Sequence, residues 1–324
     1  MSNARGRVAI LGVFVADTAY RADRQPKMGE TLLGRSFALG PGGKGSNQAV
    51  CAARLGADVT FITRLGQDPF GDMALKTWQE AGVIPAVTRT DDSYTGAAYI
   101  FVEEATGNNA IIIAPGAAAM ISATDVEREA EHIRNADVFI TQLEQPVAAA
   151  FRGLEVAREA GVATILNPAP GAALDDAIFA LCDFVTPNES EAEILTGLKV
   201  ASVDEARKAA DGLLKRGAGT AVITLGAAGA LLHGRYISEQ VPAFDAGPVV
   251  ETTGAGDAFN GGFAVGLAEG MSAADAARFA CIVAGISVTR PGTAPSMPTR
   301  EEVERIRDIR ARSQGGSHRP PHHA

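Results

Sequence analysis

Short apolar runs rich in β-branched residues alternate along the chain with longer segments whose apolar positions recur at helical spacing. The short runs predict buried strands at 8–15, 59–63, 97–103, 138–142, 163–167, 184–187 and 220–225. The helical spacing predicts helices at 46–55, 74–81, 124–135, 148–160, 189–195, 203–216, 257–269 and 273–288. This alternation predicts a three-layer α/β fold, in which a doubly wound and mostly parallel sheet is covered by helices on both faces.

Polar or small residues follow several of the predicted strands. Asn167, Asn188 and Gly226 each come directly after a strand or close to its end. Ligands of parallel α/β sheets bind beyond the carboxyl ends of the strands. We therefore expect a ligand site at this edge of the sheet.

Two segments, 18–39 and 94–114, do not follow the alternation. The first is polar and interrupted by glycine, and the second alternates apolar and polar residues around a hairpin-like turn. They predict a small β-sheet lid over the cleft, although two surface loops would have a similar composition. The resulting division is a core (1–16, 40–96 and 115–312), a lid (17–39 and 97–114) and a disordered tail (313–324) whose histidines we interpret as solvated.

Composition and charge narrow the class of protein. The chain has 324 residues, of which 46% are hydrophobic and 21% charged, so a packed core is expected. A net charge of −9 argues against a general nucleic-acid binder. Three widely spaced cysteines form no CxxC pair and favour a reducing compartment. The sequence contains no long apolar run of membrane-spanning length, and we expect a cytoplasmic protein.

The glycine-rich turn at 40–47 (GPGGKGSN) matches two known phosphate-binding patterns only in part. It fits G-x-G-x-x-G, but Arg64 stands near the position where a dinucleotide fold needs an acidic residue. A P-loop needs Ser or Thr after the lysine, whereas Lys44 is followed by Gly45. The turn could instead bring Lys44 and Asn47 against the hydroxyls of a polyol, or simply cap a helix.

A second turn, at 252–257 (TTGAGD), delivers one carboxylate to the start of an apolar helix. Small residues let the backbone approach a ligand, and the helix N-terminus favours an anion. Asp257 adds a negative charge there, which suggests phosphoryl transfer with a carboxylate base. An acidic residue in the first turn of an ordinary helix is the competing interpretation.

Three further acidic positions have ordinary local explanations. Asp17 and Glu144 each follow a predicted strand, where turn residues are common. Asn188 and Glu191 begin a helix, either as a cap or as part of a Mg²⁺–phosphate site. Their significance lies in their possible convergence with Asp257 at one edge of the sheet.

Taken together, these motifs resemble the ribokinase (PfkB-type) carbohydrate kinases, and within them the ribokinases most closely. The similar segments are 42–49 (GGKGSNQA), 188–193 (NESEAE) and 252–257 (TTGAGD). The resemblance runs from the first strand to about Arg300. It implies an α/β core with a β-sheet lid that often forms a dimer contact, and transfer of the γ-phosphoryl group of ATP to a sugar hydroxyl.

The resemblance also implies roles for individual residues. Asp257 would be the catalytic base, with the backbone of Gly254, Ala255 and Gly256 as anion hole. The sugar would be held by Asp17, Gly43, Lys44, Asn47 and Glu144. The nucleotide would lie against Asn188, Thr224, Gly226 and Gly229, with Cys281 at the adenine pocket or simply in the core. Glu191 would organise Mg²⁺ through water, and K⁺ would bind near Glu251, Thr253, Ser287, Arg290, Gly292 and Ser296.

The chain departs from the family pattern at two positions. Where ribokinases usually carry Asn, two residues before the sugar-binding Asp, this chain has Val15. Where the family usually has an Asp beside the cation, it has Glu251. The acceptor therefore stays open between ribose, a related sugar and a nucleoside. A non-catalytic nucleotide- or sugar-binding protein is a further alternative, and a nicotinamide-dependent dehydrogenase a distant one.

Overall fold

The computed structural model describes residues 5–315. Its strands are β1 (Arg7–Leu11), β2 (Val15–Ala22), β3 (Ser36–Gly42), β4 (Asp58–Gly66), β5 (Ile84–Thr90), β6 (Thr95–Glu103), β7 (Asn109–Gly116), β8 (Val138–Thr141), β9 (Ala163–Leu166), β10 (Phe184–Val185), β11 (Thr220–Thr224), β12 (Ala230–Gly234) and β13 (Ile237–Val241). Its α-helices are α1 (Lys44–Arg54), α2 (Pro69–Ala81), α3 (Ala123–Arg128), α4 (Ala130–Arg134), α5 (Val147–Glu159), α6 (Asp176–Phe179), α7 (Glu189–Thr196), α8 (Val203–Lys215), α9 (Ala255–Ala268), α10 (Ala273–Ser287) and α11 (Arg300–Gly315).

The large sheet has the strand order β13-β12-β11-β10-β9-β8-β1-β4-β5. All neighbours from β5 to β11 are parallel, and β12 and β13 complete the sheet as antiparallel strands. From β1 the chain first builds outward through β4 and β5, and later through β8 in the opposite direction. Such a reversal of strand order opens a crevice at the carboxyl ends of the strands. The predicted doubly wound, mostly parallel fold is confirmed.

A smaller sheet, with the order β3-β2-β6-β7, is built from the two segments that interrupt the alternation. Strand β2 pairs antiparallel with β3 and parallel with β6, and β6 and β7 form a hairpin. The strands occupy Val15–Ala22, Ser36–Gly42, Thr95–Glu103 and Asn109–Gly116, slightly beyond the predicted lid ranges. The small sheet therefore exists as expected, and its action as a lid stays a prediction.

Several element predictions were wrong in detail. The strand expected over 8–15 ends at Leu11, and the chain enters the small sheet at Val15. The helix expected over 124–135 is split into α3 and α4 at Glu129, whose backbone leaves helical geometry at φ −102 and ψ 12. No strand was predicted for β5, β12 or β13, and no helix for α6 or α11. Strands β5 and β13 and helix α11 carry many partly exposed or charged positions, so their apolar pattern is weak. Strand β12 has only three buried apolar residues, and α6 only four residues, so both are too short to show a periodicity.

Helix α1 is anchored in the core on two sides. On one side, Trp78 Nε1 donates to Ser46 Oγ at 2.9 Å, and the Trp78 ring packs edge-on against Phe61 at 4.9 Å. On the other side, α1 lies close to α9, since a Cβ added at Gly261 would come within 2.7 Å of Cys51 Cβ. This tight seam brings the first turn of α1 next to the first turn of α9.

The C-terminal part of the chain is described only to residue 315. Of the predicted tail over 313–324, residues 313–315 end α11, and the rest lies outside the described residues together with the histidines discussed above. Across the described part of the chain, no helix is both long and apolar enough to cross a membrane.

Candidate active site

Asp257 lies in the first turn of α9. Gly254 caps this helix with φ 82, and a Cβ added there would lie 3.2 Å from Thr293 Cα, so both the backbone conformation and the space favour glycine. The helix begins at Ala255, two residues before the predicted start. First-turn N–H groups have no intrahelical acceptor, so those of Gly256 and Asp257 are suited to a negatively charged ligand.

Two neighbouring amides of α1 hold the carboxylate of Asp257. Asn47 Nδ2 donates to Oδ2 at 2.9 Å, and Gln48 Nε2 donates to Oδ1 at 3.1 Å. Asp257 is 8% exposed. Burial raises the pKa of its carboxyl group, while the charge of Lys44 and the two amide donors oppose that rise.

The start of α1 is fixed to the loop that follows β8. Gly43 caps α1, and the backbone N–H of Lys44 donates to Glu144 Oε2 at 2.8 Å. Burial alone would lower the pKa of the Lys44 ammonium group, but the charges of Asp257, Glu144 and Glu191 outweigh it, and the pKa is raised. Lys44 is therefore a firmly charged cation among carboxylates.

Two further carboxyl groups lie beside this turn. Asp17, on β2, sits so close to Gly42 that a Cβ added there would come within 2.2 Å of Asp17 Oδ2. Burial and then the charge of Asp257 raise the pKa of Asp17 to about 6. Burial raises the pKa of Glu144 to about 7, despite Lys44. Both groups can accept hydrogen bonds from hydroxyls of a polar ligand.

One acceptor in the site lacks a partner. Asn47 Oδ1 is buried and receives no hydrogen bond from residues 5–315, while Nδ2 of the same amide donates to Asp257. A buried acceptor without a partner is costly, at about 1–3 kcal/mol. A bound hydroxyl group would remove that cost, so Asn47 suits a ligand that carries hydroxyls next to Asp257.

A recess of about 160 Å³ opens onto the free side of Asp257. It is smaller than a typical pocket for a drug-sized ligand, about 300–1,000 Å³, and would admit one part of a larger ligand. The predicted residues Lys44, Asn188, Glu191, Thr224, Gly254, Gly256 and Asp257 line it, together with Asn167, Ala169, Thr186 and Asn260. This central recess thus joins groups from distant parts of the chain.

Sequence reasoning overlooked Thr186 and Asn260 as site residues. Thr186 Oγ1 donates to Asn260 Oδ1 at 2.6 Å, and Asn260 Nδ2 donates to Gly256 O at 2.9 Å. Asn260 follows Asp257 by three positions on the same helix, so helical spacing places both on one face. That spacing was the available signal.

Asn188 and Glu191 form a reciprocal cap at the start of α7. Asn188 Oδ1 accepts from Glu191 N at 2.8 Å, and Glu191 Oε2 accepts from Asn188 N at 2.9 Å. The capping interpretation is therefore correct. Burial raises the pKa of Glu191. Its carboxylate also lines the central recess, where a single carboxylate beside phosphates suits Mg²⁺, which usually keeps several waters.

The predicted nucleotide residues fall into two groups. Thr224 bridges to Asn188, so β11 and α7 meet at the recess. Gly226 faces open space, since among the described residues an added Cβ would meet only Glu189 Oε1, at 3.9 Å. Gly229 instead forms the tight turn into β12, within 2.0 Å of Val241 O by the same measure. Cys281 is buried in the core, and burial raises its thiol pKa to about 12.

Among the predicted cation ligands, the structure joins Glu251 and Gly292. Gly292 N donates to Glu251 Oε2 at 2.9 Å. The hydroxyl groups of Ser287 and Ser296 donate to carbonyls of their own segments, and Arg290 pairs with Glu302. Thr253 is exposed beside Gly254. Within residues 5–315, no group of three or more His, Cys, Asp or Glu side chains is placed to hold a metal ion. A cation site at Glu251 would therefore need backbone carbonyl oxygens as further ligands.

Comparison with known proteins identifies the family. Residues 6–300 match the model of the pfkB family of carbohydrate kinases. The chain belongs to this family. Ribokinase of Haemophilus influenzae is 39% identical over 300 residues, covering 92% of this chain and 97% of that protein. Deoxyribokinase of Salmonella typhi is 37% identical over 297 residues, covering 91% and 96%.

Solved structures agree with the family assignment. Ribokinase of Arabidopsis thaliana, in complex with ribose and ATP, has a TM-score of 0.90 at 30% identity and covers 93% of this chain and 98% of its own. Ribokinase of Thermotoga maritima has a TM-score of 0.85 at 33% identity, with 93% and 99% covered. The resemblance inferred from sequence is confirmed. As a family member, the protein is an ATP-dependent sugar kinase, a phosphotransferase with an alcohol group as acceptor.

Proposed function

We propose that the protein transfers the γ-phosphoryl group of ATP to a hydroxyl of ribose or a closely related pentose, with Asp257 as catalytic base. The observation that carries this proposal is the position of the Asp257 carboxylate. It is buried in the first turn of α9, held by two amides, and faces the central recess beside Lys44.

Phosphoryl transfer mainly requires that the protein position the reacting groups and neutralise their charge. Phosphoryl transfer has a loose transition state with charge spread over the phosphoryl oxygens. Asp257 accepts the proton of the sugar hydroxyl as the new bond forms. The first-turn N–H groups of Gly256 and Asp257 donate to the phosphoryl oxygens, and the ammonium group of Lys44 offsets their charge. The N–H of Ala255, expected in the anion hole, instead donates to Thr252 O at 3.1 Å.

The sugar is held by acceptors around the base. Asp17 and Glu144 accept hydrogen bonds from its hydroxyls, and the partnerless Asn47 Oδ1 accepts another. Gly43 lets the backbone approach the ring. These groups lie on β2, α1 and the loop after β8, so the sugar bridges the small and the large sheet.

Val15 makes a sugar with one hydroxyl fewer a second candidate acceptor. It is 5% exposed, begins β2 and stands two positions before Asp17, on the same face of the strand. An apolar side chain offers no hydrogen bond to a hydroxyl, and a pocket of this kind discriminates weakly between an acceptor with the hydroxyl and one without it. Since one relative is a deoxyribokinase, 2-deoxyribose is the natural comparison with ribose. A nucleoside kinase remains the next alternative.

ATP binds across Asn188, Thr224 and Gly226, with its terminal phosphates in the central recess. The complex of the Arabidopsis relative with ATP supports this part of the proposal. Glu191 would hold Mg²⁺ through water, and the ion would supply positive charge beside the phosphates. Gly229 supports the turn, and Cys281 serves as a core residue near the adenine.

We infer a site for a monovalent cation, K⁺ in the first instance, beside the anion hole. Glu251 would supply the carboxylate, and the segment from Ser287 to Ser296 would supply backbone oxygens. Since Glu251 already holds Gly292 through a hydrogen bond, a cation there would order the loop that packs against Gly254.

The exposed apolar side chains of the small sheet are suited to a homodimer. Phe37 is 56% exposed, and Ile112 of β7, on the same face by strand register, is 68% exposed. Ile111 and Ile113, which are 51% and 55% exposed, lie on the opposite face of this edge strand. Such an apolar patch usually marks an interface. We also propose a cytoplasmic location, with which the three buried free cysteines are compatible.

A substrate screen with ATP and Mg²⁺ tests the proposal. Turnover of ribose, 2-deoxyribose, other sugars and nucleosides is compared, and Asp257→Asn serves as the matched inactive variant. We expect turnover of a pentose and a loss of about 10²–10⁴-fold in kcat for Asp257→Asn. Turnover confined to nucleosides would reject the sugar, and full activity of Asp257→Asn would reject the catalytic base.

A further inference from the structure

Gln48 lies directly behind the carboxylate of Asp257. Its Nε2 donates to Asp257 Oδ1 at 3.1 Å and to Asn167 Oδ1 at 3.1 Å. The side chain belongs to a residue that is 0% exposed. Gln48 therefore has no surface with which to contact a sugar or nucleotide, and any effect on the reaction passes through Asp257.

The orientation of the Gln48 amide is set by a second buried glutamine. Gln142 Nε2 donates to Gln48 Oε1 at 2.6 Å. A donor on that side requires the oxygen of the amide there, so the NH₂ group must point toward Asp257 and Asn167. Buried networks of this kind fix one arrangement because each lost hydrogen bond leaves a partner unsatisfied.

The two residues that donate to Asp257 differ in their other contacts. Asn47 has an unpaired oxygen in the site, which accepts a hydrogen bond from the sugar in the proposed function. The hydrogen bonds of the Gln48 amide go to buried side chains, those of Asp257, Asn167 and Gln142. We propose that Gln48 is a positioning residue for phosphoryl transfer, which holds Asp257 in one orientation and favours its ionised form. This inference rests on the proposed role of Asp257 as base.

The charges around Asp257 explain why one neutral donor matters. The titratable groups that face it are Lys44 and Cys51 of α1, Asp17 of β2, Glu144 after β8, and Glu191 of α7. Of these, the three carboxyl groups, when ionised, disfavour a negative charge on Asp257, and the positive charge of Lys44 favours it. Burial raises the pKa of Asp257, and the hydrogen bond from Gln48 opposes that rise. Loss of this hydrogen bond therefore makes the ionised carboxylate less stable.

Gln48→Met tests the inference, because it keeps the length of the side chain and removes the amide. The measurement is kcat against pH, together with the KM values for sugar and ATP. A hydrogen bond from an amide stabilises the ionised carboxylate, so its loss raises the pKa of Asp257. We expect the acid limb of the profile to move up by about one pH unit or more, with both KM values within about twofold of the parent.

Gln145→Met is the matched control. Gln145 is also a buried glutamine, and its Nε2 donates to Thr141 Oγ1 and to Gln142 O at 2.7 Å each. It makes no hydrogen bond to Asp257 among the described residues. We expect Gln145→Met to lower the melting temperature without moving the acid limb, which separates loss of stability from loss of positioning.

Gln48→Glu keeps the inference testable if the methionine variant does not fold. Its carboxyl group would face Asp257 and share a proton with it, so the acid limb should move further up than in Gln48→Met. A folded Gln48 variant with an unshifted limb overturns the inference. If Asp257→Asn is inactive in the same experiments, the proposed function stands and only the role of Gln48 fails. If Asp257→Asn is fully active, the proposed function itself fails.

Discussion

Asn47 Nδ2 and Asp257 Oδ2 meet at 2.9 Å, although 210 positions separate the two residues in the chain. The bond joins the first turn of α1 to the first turn of α9. It turns Nδ2 of Asn47 toward the carboxylate and leaves Oδ1 buried without a partner. One amide therefore connects the base to the place where a sugar hydroxyl would bind.

Asn47→Leu should weaken sugar binding and also lower turnover. The substitution removes the free acceptor and one donor to Asp257, each a contribution of about 1–3 kcal/mol. We expect the sugar KM to rise at least about tenfold, kcat to fall, and the ATP KM to stay within about twofold. Steady-state kinetics with each substrate varied in turn measure this, and an unchanged sugar KM would show that Oδ1 does not face the acceptor.

Val15→Asn should shift the preference between sugars toward ribose. An amide at this position can hydrogen-bond a hydroxyl that valine cannot, and a site built for a hydroxyl rejects the analogue that lacks it. We expect the ratio of kcat/KM for ribose to that for 2-deoxyribose to rise by about tenfold or more. Val15→Thr, which has nearly the same shape, should change the ratio less, and equal ratios in all three proteins would contradict the assignment.

Asp17→Asn should stabilise the ligand-free protein above pH 7 while impairing sugar binding. Folding raises the pKa of Asp17 from 3.8 to about 6, so between these values the folded state keeps a proton that the unfolded state has lost. The free energy of unfolding contributed by Asp17 therefore falls as pH rises from about 4 to about 6, and stays low above that. We expect a gain of about 1–2 kcal/mol at pH 8 and none at pH 3.5. Urea unfolding of both proteins at the two pH values provides the measurement.

Gly254→Ala and Gly256→Ala make the same substitution at two positions that differ in backbone conformation. Gly254 has φ 82 and lies against Thr293, so alanine should cost about 1–3 kcal/mol of stability. Gly256 is within α9, and a Cβ there would meet no atom of residues 5–315 within 4 Å. Alanine at 256 should leave stability unchanged or raise it by up to about 1 kcal/mol, yet lower kcat because its methyl group enters the recess. Thermal unfolding and kinase assays on both variants separate the two effects, and equal losses of stability would contradict them.

Glu251→Gln should abolish stimulation by monovalent cations, if Glu251 provides the charge at the cation site. Glutamine can still accept the hydrogen bond from Gly292 N, so the loop remains intact in this variant. Rates in K⁺, Na⁺ and Cs⁺ buffers are compared, and Glu251→Asp tests whether the shorter carboxylate changes the order of the ions. Cation-independent activity of the parent protein would show that the site is not used.

A strand that is buried on both faces over its whole length could be predicted from the sequence. Strand β8 is buried at all four positions and gives a continuous apolar run. Strand β13 alternates exposure instead, with Glu239 partly buried between exposed Ser238 and Gln240, and its short pattern was missed. The break at Glu129 has neither glycine nor proline to signal it, so one helix was expected where two are found.

The same contrast holds in the site. Asp257 and Lys44 stand in glycine-rich turns, whose small residues are visible in the sequence. Gln48 depends on Gln142, 94 positions away, and on Asp257, 209 positions away, and no local pattern reports either contact. Pairings of this kind follow from packing α1 against α9 and could not be read from spacing.

The seam between α1 and α9 also constrains how the protein is made. Helix α1 is synthesised early, while its partner face on α9 leaves the ribosome only after most of the chain. Until then, Cys51 and the amides of Asn47 and Gln48 lack the helix that covers them. A chain that terminates before Gly254 would contain the proposed sugar-binding turn but lack α9, which covers it. We expect such a fragment to aggregate or to be degraded. We do not expect it to persist as a sugar-binding protein without kinase activity.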